Sequence, residues 1–248
     1  MKGMGSMDLN QIVQFILPGI VVAVVAYLLG SLSFSIILTR IFKNHADIRS
    51  YGSGNAGATN VLRSVGKKAA ALTFLLDFLK CVVAVLVGKL VFGYFAGVYG
   101  APDVVIQYGA FIAGFACLLG HVFPIYFGFR GGKGVVTSAA MMALIDWRVF
   151  LIVLLVFIIT FAAKKIVSLG SVLGAAVYPV ATFLVTFFFD YRMQFLSMVS
   201  DATLSYVIAS TVFALLIGLT VIILHRANIK RLLAGEEKRI SFSGPKEE

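Results

Sequence analysis

The run QIVQFILPGIVVAVVAYLLGSLSFSIILTRIF, residues 11–42, carries no charged side chain before Arg40. A helix needs roughly 20 mostly apolar residues to cross about 30 Å of hydrocarbon, so this stretch reads as a membrane crossing. Ile12 to Leu29 could mimic a secretory signal, but no small-residue cleavage site precedes the Ser31, Ser33, Ser35 series, so it reads as a retained helix. Gly30 and those three serines would give it a narrow face for close packing.

Working outward, the same pattern recurs at Ala69 to Phe95, Val104 to Phe127, Gly134 to Leu144, Val149 to Ala163, Ser168 to Phe189 and Leu204 to His225. The chain of 248 residues is 60% hydrophobic and 13% charged, with a mean hydropathy of +0.99. A soluble domain of that length has too little interior to hide so much apolar side chain. The expected fold is an all-α integral membrane protein of about seven transmembrane helices forming one domain over residues 1–248, with tails at about 1–10 and 240–248. Gly134 to Leu144 is too short to span alone and is expected as a tilted or broken helix lining a polar cleft. Cys81 and Cys117 lie in apolar runs without metal-like spacing and read as buried reduced thiols.

The basic residues orient the chain. With the N-terminus outside, sixteen lysines and arginines, among them Arg40, Arg49, Arg63, Arg130, Lys133, Lys164 and Arg226, fall on one side. Lys2, Lys89, Arg148 and Arg192 fall on the other, and Lys80 lies within a crossing. The positive-inside bias makes the first side cytoplasmic. The stretches GSGNAGATN (52–60), FRGGKG (129–134), AKKIVSLGS (163–171) and HRANIKR (225–231) all arrive on that face.

Gly52, Gly54 and Gly57 satisfy G-x-G-x-x-G, with Asp77 twenty residues beyond the last. The dinucleotide reading fails for want of a βαβ unit, and Asp77 sits in an apolar helix where Lys80, one turn on, is its natural partner. The glycines can instead turn backbone N–H groups inward as an anion nest, to which a following helix adds a positive end. Asn55, Thr59 and Asn60 would add donors, and Arg63 a bidentate clamp; a plain interhelical turn is the bland alternative. FRGGKG fails the P-loop pattern because Lys133 is followed by Gly134. His121 reads as a hydrogen-bonded structural residue. His225 and Asn228, at i and i+3, can face one cleft.

Absences narrow the chemistry. There is no G-x-S-x-G elbow, no H-E-x-x-H and no His followed by Asp five positions later. No pair of intramembrane aspartates would hold Mg²⁺, and no cofactor or metal is expected. Whatever reacts must arrive activated. A transporter for a phosphorylated solute is the rival reading, but its polar groups would lie near mid-bilayer, not at one face. An intramembrane serine protease would need a buried Ser–His pair.

GSLSFS, GSGNAGATNVLR, LDFLK, GHVFPIYFGFRGGKGV, VSLGS and HRANIKRLLAGEEKRI together resemble, in order and spacing, the bacterial membrane acyl-phosphate glycerol-3-phosphate acyltransferases, the PlsY family. Ser33 stands where that family frequently has proline, and Cys81 where glycine is usual. The resemblance implies acyl transfer from acyl-phosphate to the 1-hydroxyl of glycerol 3-phosphate, giving lysophosphatidic acid and inorganic phosphate, the first step of bacterial phospholipid biosynthesis. It implies a multi-pass protein of the bacterial inner membrane with an outside N-terminus and a cytoplasmic-side site, whose partners are the two small-molecule substrates and membrane lipid. On this reading Ser53, Arg63, Lys133, His225 and Asn228 act at the reaction, with Ser168 also binding glycerol 3-phosphate. Gly52, Gly54, Asn55, Gly57, Thr59 and Asn60 form the phosphate cradle. The proton acceptor is either His225 or a phosphate oxygen of the donor, with the resemblance leaning to the latter.

Overall fold

The computed structural model describes residues 9–200 and 202–239. The N-terminal MKGMGSM and the expected C-terminal tail lie outside that range. The described residues hold eleven α-helices and no strand: α1 Leu9–Gln14, α2 Ile16–Gly30, α3 Phe34–Phe42, α4 Ala58–Ser64, α5 Lys67–Tyr99, α6 Val104–Val122, α7 Val135–Ile145, α8 Trp147–Lys164, α9 Val167–Val185, α10 Leu204–Leu224 and α11 Arg226–Leu233. Six spans are long and apolar enough to cross a membrane, and α7 is a seventh, shorter apolar helix. α8 is the most peripheral, turning Leu155 and Ile159 outward as lipid-facing side chains must be.

The first crossing is broken at Ser31–Ser33. The break sits where α2 meets α6 too closely for side chains: a Cβ on Gly30 would lie 2.1 Å from the Cys117 carbonyl oxygen, and one on Gly120 2.2 Å from that of Tyr27. The small face expected from sequence is buried, with Ser31, Ser33 and Ser35 all inside. Gly88 and Gly109 make the matching approach between α5 and α6.

Interrupting a helix in hydrocarbon frees carbonyls that need donors. Lys80 supplies one: its Nζ donates to the Leu32 carbonyl at 2.7 Å, pairs with Asp77 Oδ1 at 2.8 Å and meets His121 Nδ1 at 3.0 Å. Asp77 and Lys80 do pair, and His121 is the structural histidine expected. Removing one member of a buried pair leaves an uncompensated charge, so Lys80→Ala should cost roughly 3–5 kcal/mol. A thermal melt in detergent reads this as a large loss of stability; an unchanged midpoint contradicts the bracing role.

α7 is eleven residues long, about 16 Å at 1.5 Å per residue, half the hydrocarbon thickness. It nevertheless joins both ends of the bundle. Its N-terminal side carries Lys133, which reaches Asn228 just beyond the last crossing. At its other end Asp146 caps α8 and binds Arg148, which also pairs with Asp190 at 2.9 Å after α9. The segment 128–134 before α7 is non-helical, exposed at Gly128 to Arg130 and buried at Gly132 and Gly134.

Ile36 of α3, Ile48 and Ala56 of the connection, Val61 of α4 and Ala69 and Ala70 of α5 form a small separate core, with Phe127 packed against it. This cluster seats the glycine-rich segment on the end of the bundle, beside 128–134. Cys81 and Cys117 are buried and unbridged.

Candidate active site

The first loop is shaped by Asn60. Gly52 and Gly54 take left-handed backbone, φ +57° and +69°, a conformation glycine adopts without Cβ strain. Asn60, 2% exposed, fills the turn they make. Its Oδ1 accepts from Ser53 N at 3.0 Å, and its Nδ2 donates to the carbonyls of Ile48, Tyr51 and Asn55 at 3.2, 2.9 and 3.1 Å. One expectation changes here: Asn60 organises the loop, because its amide is saturated by backbone. Within the loop Gly54 N donates to Tyr51 O and Gly57 N to Asn55 O, which engages part of the backbone expected to form the nest. Gly57 has extended backbone, and α4 after it has only seven residues. The side chains of Ser53, Asn55, Thr59 and Arg63 stand on the same segment.

The second loop folds back on the C-terminal end of α6. Gly131 N donates to Val122 O at 3.0 Å and Gly132 N to His121 O at 3.1 Å. A Cβ on Gly132 would stand 2.3 Å from His121 Nε2 and 2.5 Å from the Ala56 carbonyl oxygen. The second loop thus touches the first through a contact that tolerates no side chain.

Lys133 emerges from this contact and donates to Asn228 Oδ1. Asn228 Nδ2 donates to Glu237 Oε1 at 2.6 Å, Ser168 Oγ donates to the same oxygen at 2.7 Å, and Arg231 Nε binds Glu237 Oε2 at 2.7 Å. Arg63 Nη2 donates to the neighbouring Lys238 carbonyl at 3.1 Å. Lys133, Ser168 and Asn228 are therefore one hydrogen-bonded network, with Arg63 held at its edge. Glu237 is the member sequence reasoning missed. It lies in LLAGEEKRI, and the only local cue is Gly235, whose φ of +73° turns the chain back after α11.

Charge is concentrated here. Burial pushes the Lys133 ammonium below its ordinary 10.5; Glu237 opposes that shift while Arg231 and Arg63 add to it. Burial raises the Glu237 carboxyl, but hydrogen bonds from Ser168, Asn228 and Arg231 more than offset this and hold it below its ordinary 4.5. Three cations thus face one carboxylate, a field that favours anions. His225, 3% exposed, sits where α10 passes into α11. Its Nδ1 lies 2.7 Å from the Val221 carbonyl. A carbonyl only accepts, so Nδ1 carries the proton and Nε2 presents a lone pair. Burial lowers the His225 pKa from its ordinary 6.5, so the ring is neutral at physiological pH.

A helical membrane bundle that gathers cations and hydrogen-bond donors from distant segments at one end has the build of a membrane enzyme or carrier of anionic small molecules. The comparisons resolve the class: a sequence profile described as "Glycerol-3-phosphate acyltransferase" matches residues 20–235, and the chain belongs to that family. The glycerol-3-phosphate acyltransferase of Clostridioides difficile (strain 630) is 43% identical over 221 residues, covering 89% of this chain and 95% of the relative. That of Thermoanaerobacter sp. (strain X514) is 38% identical with the same coverage. Two crystal structures of PlsY (YgiH), an integral membrane glycerol 3-phosphate acyltransferase, are similar in fold. The glycerol 3-phosphate form gives TM-score 0.68 at 33% identity, and the lysophosphatidic acid form 0.66 at 34%; each covers 90% of this chain and 96% of the other.

Proposed function

We propose that this acyltransferase takes its acyl group from acyl-phosphate and delivers it to the 1-hydroxyl of glycerol 3-phosphate, releasing inorganic phosphate and lysophosphatidic acid. The observation that carries the reading is the Lys133–Asn228–Ser168 network beside Arg63. It offers cations and hydroxyl or amide donors suited to a phosphate monoester, and its one serine, Ser168, is held by the Glu237 carboxylate, whose basicity lies below the ordinary carboxylate range. By the positive-inside bias the site faces the cytoplasm of a bacterial inner membrane and the N-terminus lies outside.

In this mechanism Arg63, Lys133, Ser53, Ser168 and Asn228 hold the phosphate of glycerol 3-phosphate. Asn55 and Thr59, with the loop of Gly52, Gly54 and Gly57 shaped by Asn60, hold that of the donor. The task is to bring two repelling anions together and aim a hydroxyl at a carbonyl, an entropic and electrostatic contribution. The hydroxyl oxygen attacks the acyl carbon, the bond from that carbon to the phosphate oxygen breaks, and the hydroxyl proton leaves with the phosphate. The lowered basicity of His225 supports an orienting role: its Nε2 accepts a hydrogen bond from the hydroxyl.

His225→Gln should therefore lower kcat by about 10²-fold and not abolish it, the range for losing one aligning group. Complete loss with glycerol 3-phosphate affinity intact would make His225 the base. Lys133 governs the alkaline side. Its charge is lost as pH rises through a pKa below 10.5, so the KM for glycerol 3-phosphate should climb with pH earlier than a free lysine would dictate; a KM flat to pH 10.5 contradicts this.

The donor is tested by incubating the purified protein with glycerol 3-phosphate and either palmitoyl-phosphate, palmitoyl-CoA or palmitoyl acyl carrier protein. Lysophosphatidate from palmitoyl-phosphate is expected; turnover of the thioesters alone overturns the donor assignment.

A further inference from the structure

The short segment that leads into the glycine loop contributes no residue to the network above, yet it reaches over to the second loop. Asp47 precedes, and Arg49 lies within, a single 3₁₀ turn, Ile48–Ser50, that leads into the first loop. Asp47 Oδ1 accepts from Arg49 N at 2.9 Å and caps the turn. Its carboxylate then grips the guanidinium of the same arginine: Nε lies 3.0 and 3.2 Å from Oδ1 and Oδ2, and Nη2 2.7 Å from Oδ2. That fork fixes the direction of the third nitrogen. Nη1 donates to the Phe127 carbonyl at 2.7 Å and the Arg130 carbonyl at 3.2 Å.

The two carbonyls bracket a turn that needs holding. Gly128 and Phe129 between them are both left-handed, φ +67° and +57°. For a phenylalanine this is an unfavourable conformation that surrounding contacts must enforce. Arg49 catches the chain on either side of it, three residues before Lys133. The side chains of Asp47 and Arg49 are each 26% exposed, so the pair is partly shielded from competing water.

We propose that Arg49, aimed by Asp47, is a positioning residue for the glycerol 3-phosphate site, clasping the loop that carries Lys133 to the loop that carries Ser53 and Arg63. The proposal rests on the reading that these three residues share one phosphate. The contact between Gly132 and Ala56 keeps the loops from approaching further; the clasp keeps them from separating. Lysine cannot replace the device, since a single ammonium has neither the planar fork nor the reach to hold a carboxylate and two carbonyls together.

The test uses the full chain in detergent with Arg49→Lys, Asp47→Asn and the double variant. Two quantities are read: the glycerol 3-phosphate concentration giving half-maximal thermal protection, without any donor, and the KM for glycerol 3-phosphate. Arg49→Lys should raise both by about tenfold or more, the loss expected for charge-assisted bonds, with the ligand-free midpoint nearly unchanged. Asp47→Asn should give a smaller rise, and the double variant should match Arg49→Lys, because Asp47 acts through Arg49. Wild-type affinity in Arg49→Lys, or additive losses in the double variant, overturns the clasp. Should Arg49→Lys fail to fold, Asp47→Asn decides alone: a raised half-protection concentration supports the clasp and an unchanged one refutes it. A wild-type protein protected by glycerol 3-phosphate but inert toward acyl-phosphate refutes the donor assignment and leaves this result readable.

Discussion

Lys133→Ala should reduce acyl transfer by about a thousandfold or more while the protein stays folded and membrane-inserted. The ammonium is the inner cation of the site and the group that holds the Asn228 amide in one orientation. Its loss removes a charge facing substrate phosphate and frees Asn228 to rotate away from the Ser168–Glu237 arm. Single preorganised donors of this kind are worth roughly 10²–10³ in rate, and here two are lost together. Arg63→Ala should approach the same loss for a different reason: Arg63 is exposed, so its removal costs little stability and deletes the cation at the site's edge. Initial rates with palmitoyl-phosphate, beside thermal melts of the same preparations, check both. Wild-type-like turnover in both variants would overturn the assignment of the site.

Gly132→Ala is expected to cost about a hundredfold in kcat/KM, although it alters no charge. The added methyl group would meet the Ala56 carbonyl at 2.5 Å and His121 Nε2 at 2.3 Å. The first is backbone and the second is a ring already engaged by Lys80, so neither yields cheaply. The second loop must lift off the first, carrying Lys133 with it, and displacement by about 1 Å at a reacting centre costs on the order of 10²-fold. The methyl at Gly128 is the control: nothing lies within 4 Å of a Cβ there, so any effect of Gly128→Ala reports left-handed backbone strain alone and should be smaller. Equal activity of Gly132→Ala and wild type would mean the two loops do not need to touch.

Hydropathy made the crossings legible because each is a long uninterrupted apolar run, and the shortness of Gly134 to Leu144 was legible from length alone. The break at Ser31–Ser33 was not, because the run 11–42 carries no charge before Arg40 and its serines read as a packing face; it depends on Gly30 and Gly120 meeting a neighbouring backbone and on Lys80 donating to the Leu32 carbonyl. The pairing of Asp77 with Lys80 was readable because one turn of helix separates them. Lys133, Asn228, Ser168 and Arg63 could be gathered on one face by counting crossings, and the structure links them. Asn60, Glu237 and Arg49 took other roles than a local reading gives. Asn60 looks like a donor in a polar loop, Glu237 like one charge in a basic tail and Arg49 like an anchor at the membrane surface. Each is defined by partners many residues away: Asn60 by the carbonyls of Ile48 and Tyr51, Glu237 by Ser168, and Arg49 by Phe127.

The claim on which the rest depends is that segments far apart in the chain build a single receptor for the phosphate of glycerol 3-phosphate. A crystal structure of this protein with glycerol 3-phosphate bound tests it most directly. The account predicts the phosphate within hydrogen-bonding distance of Lys133 Nζ and the Arg63 guanidinium together, with the free hydroxyls turned toward His225 Nε2. A phosphate seated elsewhere, or bound to one loop while the other stands apart from it, would contradict the account.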